Sequence, residues 1–218
     1  MRALDIVRAG EKLSVLCLGA HADDIEIGAG GTLLTWLGAG AELDVHWCVA
    51  AAGAAREAEA RASAEAFMAG AARATVEVGG FRDSYLPYEG GAVKQWVEAQ
   101  KPRMRPDIVL THCADDAHQD HRLLSELAWN AFRSSLILEY EIPKWDGDLG
   151  RPNFYVPLAP DVLERKIALL DAHFGTQRSK DWFDAETFRG LARLRGVECR
   201  ARYAEGFRAR KIVAGIVG

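Results

Sequence analysis

Short apolar runs, each closed by glycine or polar loop residues, alternate along this chain with helix-length segments. This alternation most restricts what the chain can fold into. Residues 13–18 are apolar except for Ser14 and end at Gly19, which predicts a buried first strand. A polar loop, His21 to Asp24, leads into a helix over 25–37, with Gly38 and Gly40 as its stop signal. A second strand is predicted over 43–49. The Ala-rich stretch 54–68, punctuated by Arg and Glu, has helical composition. Residues 75–78 read as a third strand, 93–99 as a helix, 107–111 as a strong fourth strand and 118–132 as the helix after it. Such alternation implies βαβ units and a largely parallel sheet.

Beyond Ser135 the pattern is less regular. Strands are expected over 136–140 and 154–156, helices over 160–173 and 185–194, and mixed strand character over 207–213. This last third is expected to pack on the sheet and wall a pocket. With 218 residues, 49% hydrophobic and 27% charged, the chain suffices for one α/β domain with a sizeable core. A net charge of -4 makes no electrostatic case for nucleic acid or an anionic membrane. Apolar stretches break within about a dozen residues, short of the ~20 that span a bilayer. Cys17, Cys48, Cys113 and Cys199 are widely spaced and form no CxxC pair. Reduced thiols in a cytoplasmic protein are the expectation.

Two clusters carry chemistry. His21-Ala22-Asp23-Asp24 lies where the first strand ends, the side of an open α/β sheet on which ligands bind. Adjacent carboxylates repel, so a pair in a tight loop calls for a cation or solvent. His21 and Asp24 could ligate a metal and leave Asp23 free as a base. The competing reading makes the two Asp residues helix caps. The following Gly28-Ala29-Gly30-Gly31 fits a dinucleotide fingerprint poorly. Its glycines miss the strand-to-helix turn, and Leu33 stands where the third is needed. Close helix packing or approach to a ligand is the better use.

His118-Gln119-Asp120-His121 follows the fourth strand, and its two histidines would share a helix face. One could complete a three-ligand metal site and the other donate to a developing oxyanion, with Asp120 orienting an imidazole. The competing reading is a surface helix capped by Asp115 or Asp116. Of six histidines, three fall in these two segments, so the joint signal exceeds either alone. His112 reads as a strand-end or supporting residue, and His46 and His173 as structural.

The paired motifs resemble the LmbE-like, or PIG-L, deacetylase family, whose members carry AHPDD after the first strand and HPDH after a later one. The resemblance extends to Asp24-Ile25-Glu26-Ile27-Gly28 and Gly30-Gly31-Thr32-Leu33, to Arg56, Glu59 and Asp83, and to Arg105-Pro106-Asp107-Ile108-Val109. Later come Lys166, His173 and Gln177, and Tyr203-Ala204-Glu205-Gly206-Phe207. It implies an α/β, Rossmann-like three-layer sandwich with a mainly parallel sheet, one domain over 1–218. It also implies a zinc-dependent N-deacetylase, with ferrous iron an alternative for the same donors. His21, Asp24 and His121 would bind the metal, Asp23 act as general base, and His118, oriented by Asp120, stabilise the oxyanion. Arg56 and Asp83 would contact a sugar-like N-acyl amine, in a chain that can form a homo-oligomer. Ala22 and Gln119 replace the usual prolines, and Ile25 stands where Glu is common, yet no proposed ligand or base is lost. The stretch 135–157 carries no clear substrate signature. A catalytically silent metal- or sugar-binding protein and an amidase for non-acetyl conjugates are the alternatives. The Ala, Arg and Gly enrichment is compatible with secondary metabolism.

Overall fold

The computed structural model describes residues 4–213 and Gly215. Among the described residues, seven strands form one sheet in the order β3-β2-β1-β4-β5-β7-β6. They are β1 (Lys12–Gly19), β2 (Glu42–Ala51), β3 (Arg73–Phe81), β4 (Ile108–His112), β5 (Leu136–Tyr140), β6 (Phe154–Leu158) and β7 (Tyr203–Arg208). The first five pair in parallel, and β7 runs antiparallel to both β5 and β6. The helices are α1 (Asp24–Gly38), α2 (Ala54–Phe67), α3 (Gly90–Glu98), α4 (Gln119–Ala131), α5 (Pro160–His173) and α6 (Ala185–Cys199).

Burial on both faces explains the uninterrupted apolar character of β1. Val15 and Cys17 join the core under α1, α2 and α5, while Leu16 and Leu18 join the core under α3 and α4. A parallel strand covered by helices on both sides has no solvent face to leave polar. The three-layer architecture thus follows the expected α/β pattern.

The main departure lies at the C-terminal end. Sequence character predicts a strand over 207–213, but β7 spans Tyr203–Arg208 and residues 209–213 belong to no element. Alternation of buried side chains cannot flag β7, because Ala204, Glu205, Gly206 and Phe207 are all buried. Glu205 holds its place by bonding. Its carboxylate accepts the backbone N–H groups of Gly31 (2.8 Å) and Thr32 (2.7 Å) and the ammonium of Lys166 (2.6 Å). Lys166 also donates to the carbonyl of Ile27 (2.6 Å). A β-carbon at Gly31 would lie 2.8 Å from Glu205 Oε1, so glycine is what lets this carboxylate reach the helix.

The chain runs outward from β1 through β2 to β3, then crosses back to β4 on the other side of β1. The carboxyl ends of β1 and β4 therefore flank the switch point where open α/β sheets form their ligand crevice. Both histidine motifs sit there.

Candidate metal centre and active site

The turn after β1 is held by short backbone bonds. Asp24 Oδ2 accepts the backbone N–H of His21 (2.6 Å), and His112, the last residue of β4, accepts that of Ala20 on Nε2 (2.9 Å). Asp23 occupies the N-cap position of α1 but makes no side-chain cap bond. The capping explanation of the two carboxylates therefore does not account for them. At the second motif, His118 is the N-cap of α4. Its Nδ1 accepts the backbone N–H of Asp120 (3.2 Å), while Asp116 Oδ1 accepts that of His118 (2.7 Å).

The two loops bring His21, Asp24 and His121 together. His21 Nδ1 lies 3.2 Å from His121 Nε2 and 3.3 Å from Asp24 Oδ2, and the last two atoms are 3.5 Å apart. All three side chains are buried. Tetrahedral zinc with bonds of about 2.0–2.1 Å puts neighbouring ligand atoms roughly 3.3 Å apart. The triangle has the size of one face of that tetrahedron, so the residues fit a metal. The far nitrogen of each imidazole meets a carboxylate: His21 Nε2 faces Asp120 Oδ2 (3.1 Å) and Asp83 Oδ1 (3.3 Å), and His121 Nδ1 faces Asp116 Oδ2 (2.9 Å). Such contacts set the tautomer and orient a ligating imidazole.

Asp120 departs from its expected role. Its carboxylate serves His21 and the backbone N–H groups of Ser84 (2.7 Å) and Leu86 (3.1 Å), and only its backbone N–H touches His118. The fold of the 83–86 turn against α4, which no local sequence signal reveals, draws the carboxylate away. His112 stacks on His121 at 3.8 Å between ring centroids, with Nε2 3.2 Å from Asp24 Oδ2, which is the supporting position expected of it.

Electrostatics differentiate the groups. Burial raises the pKa of Asp23, opposed by the Arg56 guanidinium at 2.5 Å. Burial would also raise Asp24, but His121, His112 and His21 together hold it well below the usual carboxylate range. Burial and the neighbouring imidazoles lower both His118 and His121. His21 is the exception: burial works to lower it, yet Asp24, Asp120 and Asp83 carry it well above the ordinary value.

An open cleft of about 400 Å3 exposes this centre. Asp23, Arg56, Asp83 and His118 line it, as does Ser84. Arg56 bridges Asp23 and Asp83 (3.4 Å), so the two expected substrate contacts stand together at one wall. The lining also includes residues that sequence reasoning did not single out: Lys144, Trp145 and Asp146 from the β5–β6 connection, and Lys180 and Trp182 from the segment before α6. They lie far from either motif in the chain and follow no spacing rule. The last third of the chain does wall the pocket, as expected. Glu59 helps by accepting the backbone N–H (2.9 Å) and hydroxyl (2.6 Å) of Thr176.

The family model described as PIG-L, GlcNAc-PI de-N-acetylase, matches residues 16–132. Solved structures share the fold at low identity. N,N'-diacetylchitobiose deacetylase from Pyrococcus horikoshii, complexed with its inhibitor MPG, is 24% identical with a TM-score of 0.69, over 90% of this chain and 83% of its own. GalB, the 4-carboxy-2-hydroxymuconate hydratase from Pseudomonas putida KT2440, is 20% identical with a TM-score of 0.73, over 94% and 100%. The zinc-inhibited form of teicoplanin deacetylase Orf2 is 15% identical with a TM-score of 0.71, over 90% and 97%. The matched segment contains both loops that bring His21, Asp24 and His121 together, and the chain belongs to the PIG-L family.

Proposed function

We propose that this protein is a metal-dependent N-deacetylase that hydrolyses the acetamide of an amino sugar, with zinc as the metal. The observation that carries the reading is the triangle of His21 Nδ1, Asp24 Oδ2 and His121 Nε2 in the same cleft as Asp23 and His118. When bound there, zinc supplies a Lewis acid that polarises the amide carbonyl and makes water more acidic. Asp23 takes the proton from the attacking water. Burial raises its pKa and makes it a stronger base, and Arg56 keeps the ionised form accessible.

His118 meets the oxygen that turns negative. Its lowered pKa keeps the ring neutral near pH 7. Because Nδ1 accepts a backbone N–H, the ring proton resides on Nε2. A neutral imidazole aimed this way donates to an oxyanion. Asp120 and Asp116 act as positioning residues for His21 and His121. The proton held by Asp23 then passes to the departing nitrogen, and the products are acetate and a free amine. Asp83, half exposed at the wall, accepts hydroxyl groups of the sugar.

Acetate release from N-acetylglucosamine and its glycosides by zinc-loaded protein tests the reading. Asp23→Ala is expected to lower kcat by at least about a hundredfold with one metal per chain retained. Loss of the metal in that variant would make Asp23 a ligand. No hydrolysis of any N-acyl sugar by zinc- or iron-loaded protein would overturn the reading. The fold also carries a hydratase, so hydration of an unsaturated hydroxy acid is the control reaction.

A further inference from the structure

Part of the cleft lining is aromatic and rigidly mounted. Of the six tryptophans, Trp145 alone is exposed, at 68%. An indole so open to water is normally mobile, but this one is fixed on two sides. Its Nε1 donates to Asp181 Oδ1 (2.7 Å), and its ring meets Trp182 edge to face, with centroids 6.0 Å apart and planes at 86°. Trp182 packs in turn on the buried Phe183 at 5.8 Å.

The backbone that presents Trp145 is tied to the metal centre. Lys144 Nζ lies 3.0 Å from Asp116 Oδ1 and 2.5 Å from Asp148 Oδ2, and Asp148 accepts the backbone N–H of Ala117 (2.7 Å). The other oxygen of Asp116 is the one against His121. One carboxylate thus sets both a candidate ligand and the residue beside the exposed indole. Ion pairs thus tie the segment that carries Trp145 to the loop that carries His121.

The charge around the platform narrows what it takes. Asp83 and Asp146 are about half exposed at the cleft, and Asp181 adjoins the indole nitrogen. Arg56 and Lys144 are committed to carboxylates, and Lys180 lies over the Trp182 ring at 5.3 Å. An indole face is electron-rich and attracts the polarised C–H groups of a sugar ring, while carboxylates beside it accept hydroxyl protons. A phosphate or pyrophosphate placed beside Asp83, Asp146 and Asp181 would meet like charge, offset in part by Lys180.

From this arrangement, and resting on the deacetylase reading above, we infer that Trp145 and Trp182 form a second sugar subsite. It stacks an uncharged hexopyranose linked to the acylated residue and disfavours substrates joined through phosphate. The preferred substrate class is therefore an N-acetylated amino sugar within a disaccharide or longer glycan.

Calorimetry on the zinc-loaded protein tests this without turnover, using glucosamine, its β-1,4 disaccharide and UDP-glucosamine as ligands. The disaccharide is expected to bind about tenfold tighter than the monosaccharide, and the UDP conjugate no tighter than the monosaccharide. In Trp145→Ala the disaccharide preference should collapse toward one, and Trp145→Phe should restore part of it. Equal affinity of the two sugars in the wild type, a preference that survives Trp145→Ala, or tightest binding of the UDP conjugate would overturn the inference. Acetate release from N-acetylglucosamine and N,N'-diacetylchitobiose is measured in parallel. Absence of acetate with the affinity pattern intact overturns only the deacetylase reading. Acetate without the pattern overturns only the subsite.

Discussion

Single side chains in this fold are specified by what they touch, and two of them lead to direct tests. Asp120 is buried and accepts from His21 and two backbone N–H groups at once. Asn at this position keeps the shape but offers one oxygen and a donor where acceptors are needed. Asp120→Asn is expected to weaken metal affinity by about 10- to 100-fold, measured by competition with a chelator. His46 behaves differently because it lies within β2 and does not line the cleft. Its ring nitrogens meet Thr75 Oγ1 (2.5 Å) and Gln100 Oε1 (2.8 Å), and burial lowers its pKa from the ordinary 6.5. Above pH 6.5 the ring is neutral in folded and unfolded chains alike. Below it the unfolded chain binds a proton that the folded chain refuses. Stability therefore falls with acid until the lowered folded-state pKa is passed, by at most about 1.4 kcal/mol per pH unit. Urea denaturation at pH 7.5 and pH 5.5 should show a smaller acid loss in His46→Gln than in the wild type.

Elements, rather than residues, account for the motifs that lie outside the site. The glycines of α1 serve packing: a β-carbon at Gly28 would collide with the Tyr140 ring, whose hydroxyl donates to the carbonyl of Leu18 (2.7 Å). Lys166 and Glu205 join α5 and β7 to the middle of α1 through a buried ion pair. Breaking such a pair from one side strands the other charge. Lys166→Met is expected to cost about 3–5 kcal/mol, read from the urea midpoint. Replacing both residues by apolar ones should cost less than Lys166→Met alone. If the single variant is as stable as wild type, the pair is not what fixes α1 against the sheet.

For the whole molecule, the consequence of the architecture is that folding would be linked to any metal held by His21, Asp24 and His121. The proposed ligands come from loops after β1 and β4, neighbouring strands that are about 90 residues apart in the chain. An ion bound only by the folded chain stabilises it by about 2.7 kcal/mol at a hundred times its Kd. Added zinc is expected to raise the Tm of the metal-free protein, and His121→Ala should abolish the rise. A shift of equal size in His121→Ala would place the ion elsewhere.

The sequence by itself determined the parallel α/β class, the helix and strand order through α4, and the two loops that carry His21, Asp24 and His121. These were legible because strand burial on both faces leaves continuous apolar runs, and because paired histidines and carboxylates at strand ends are costly without a use. Tertiary structure alone decided the rest. Asp120 turns to His21 because the 83–86 turn packs on α4, Asp116 reaches His121 across a loop, and β7 begins at Tyr203 because Glu205 is bound by α1 and α5. Trp145 and Trp182 share a wall though they are 37 positions apart in the chain (182 minus 145). Local patterns record which face of an element is buried. They do not record which distant side chain is folded against it, and that is what shapes the outer wall of this cleft.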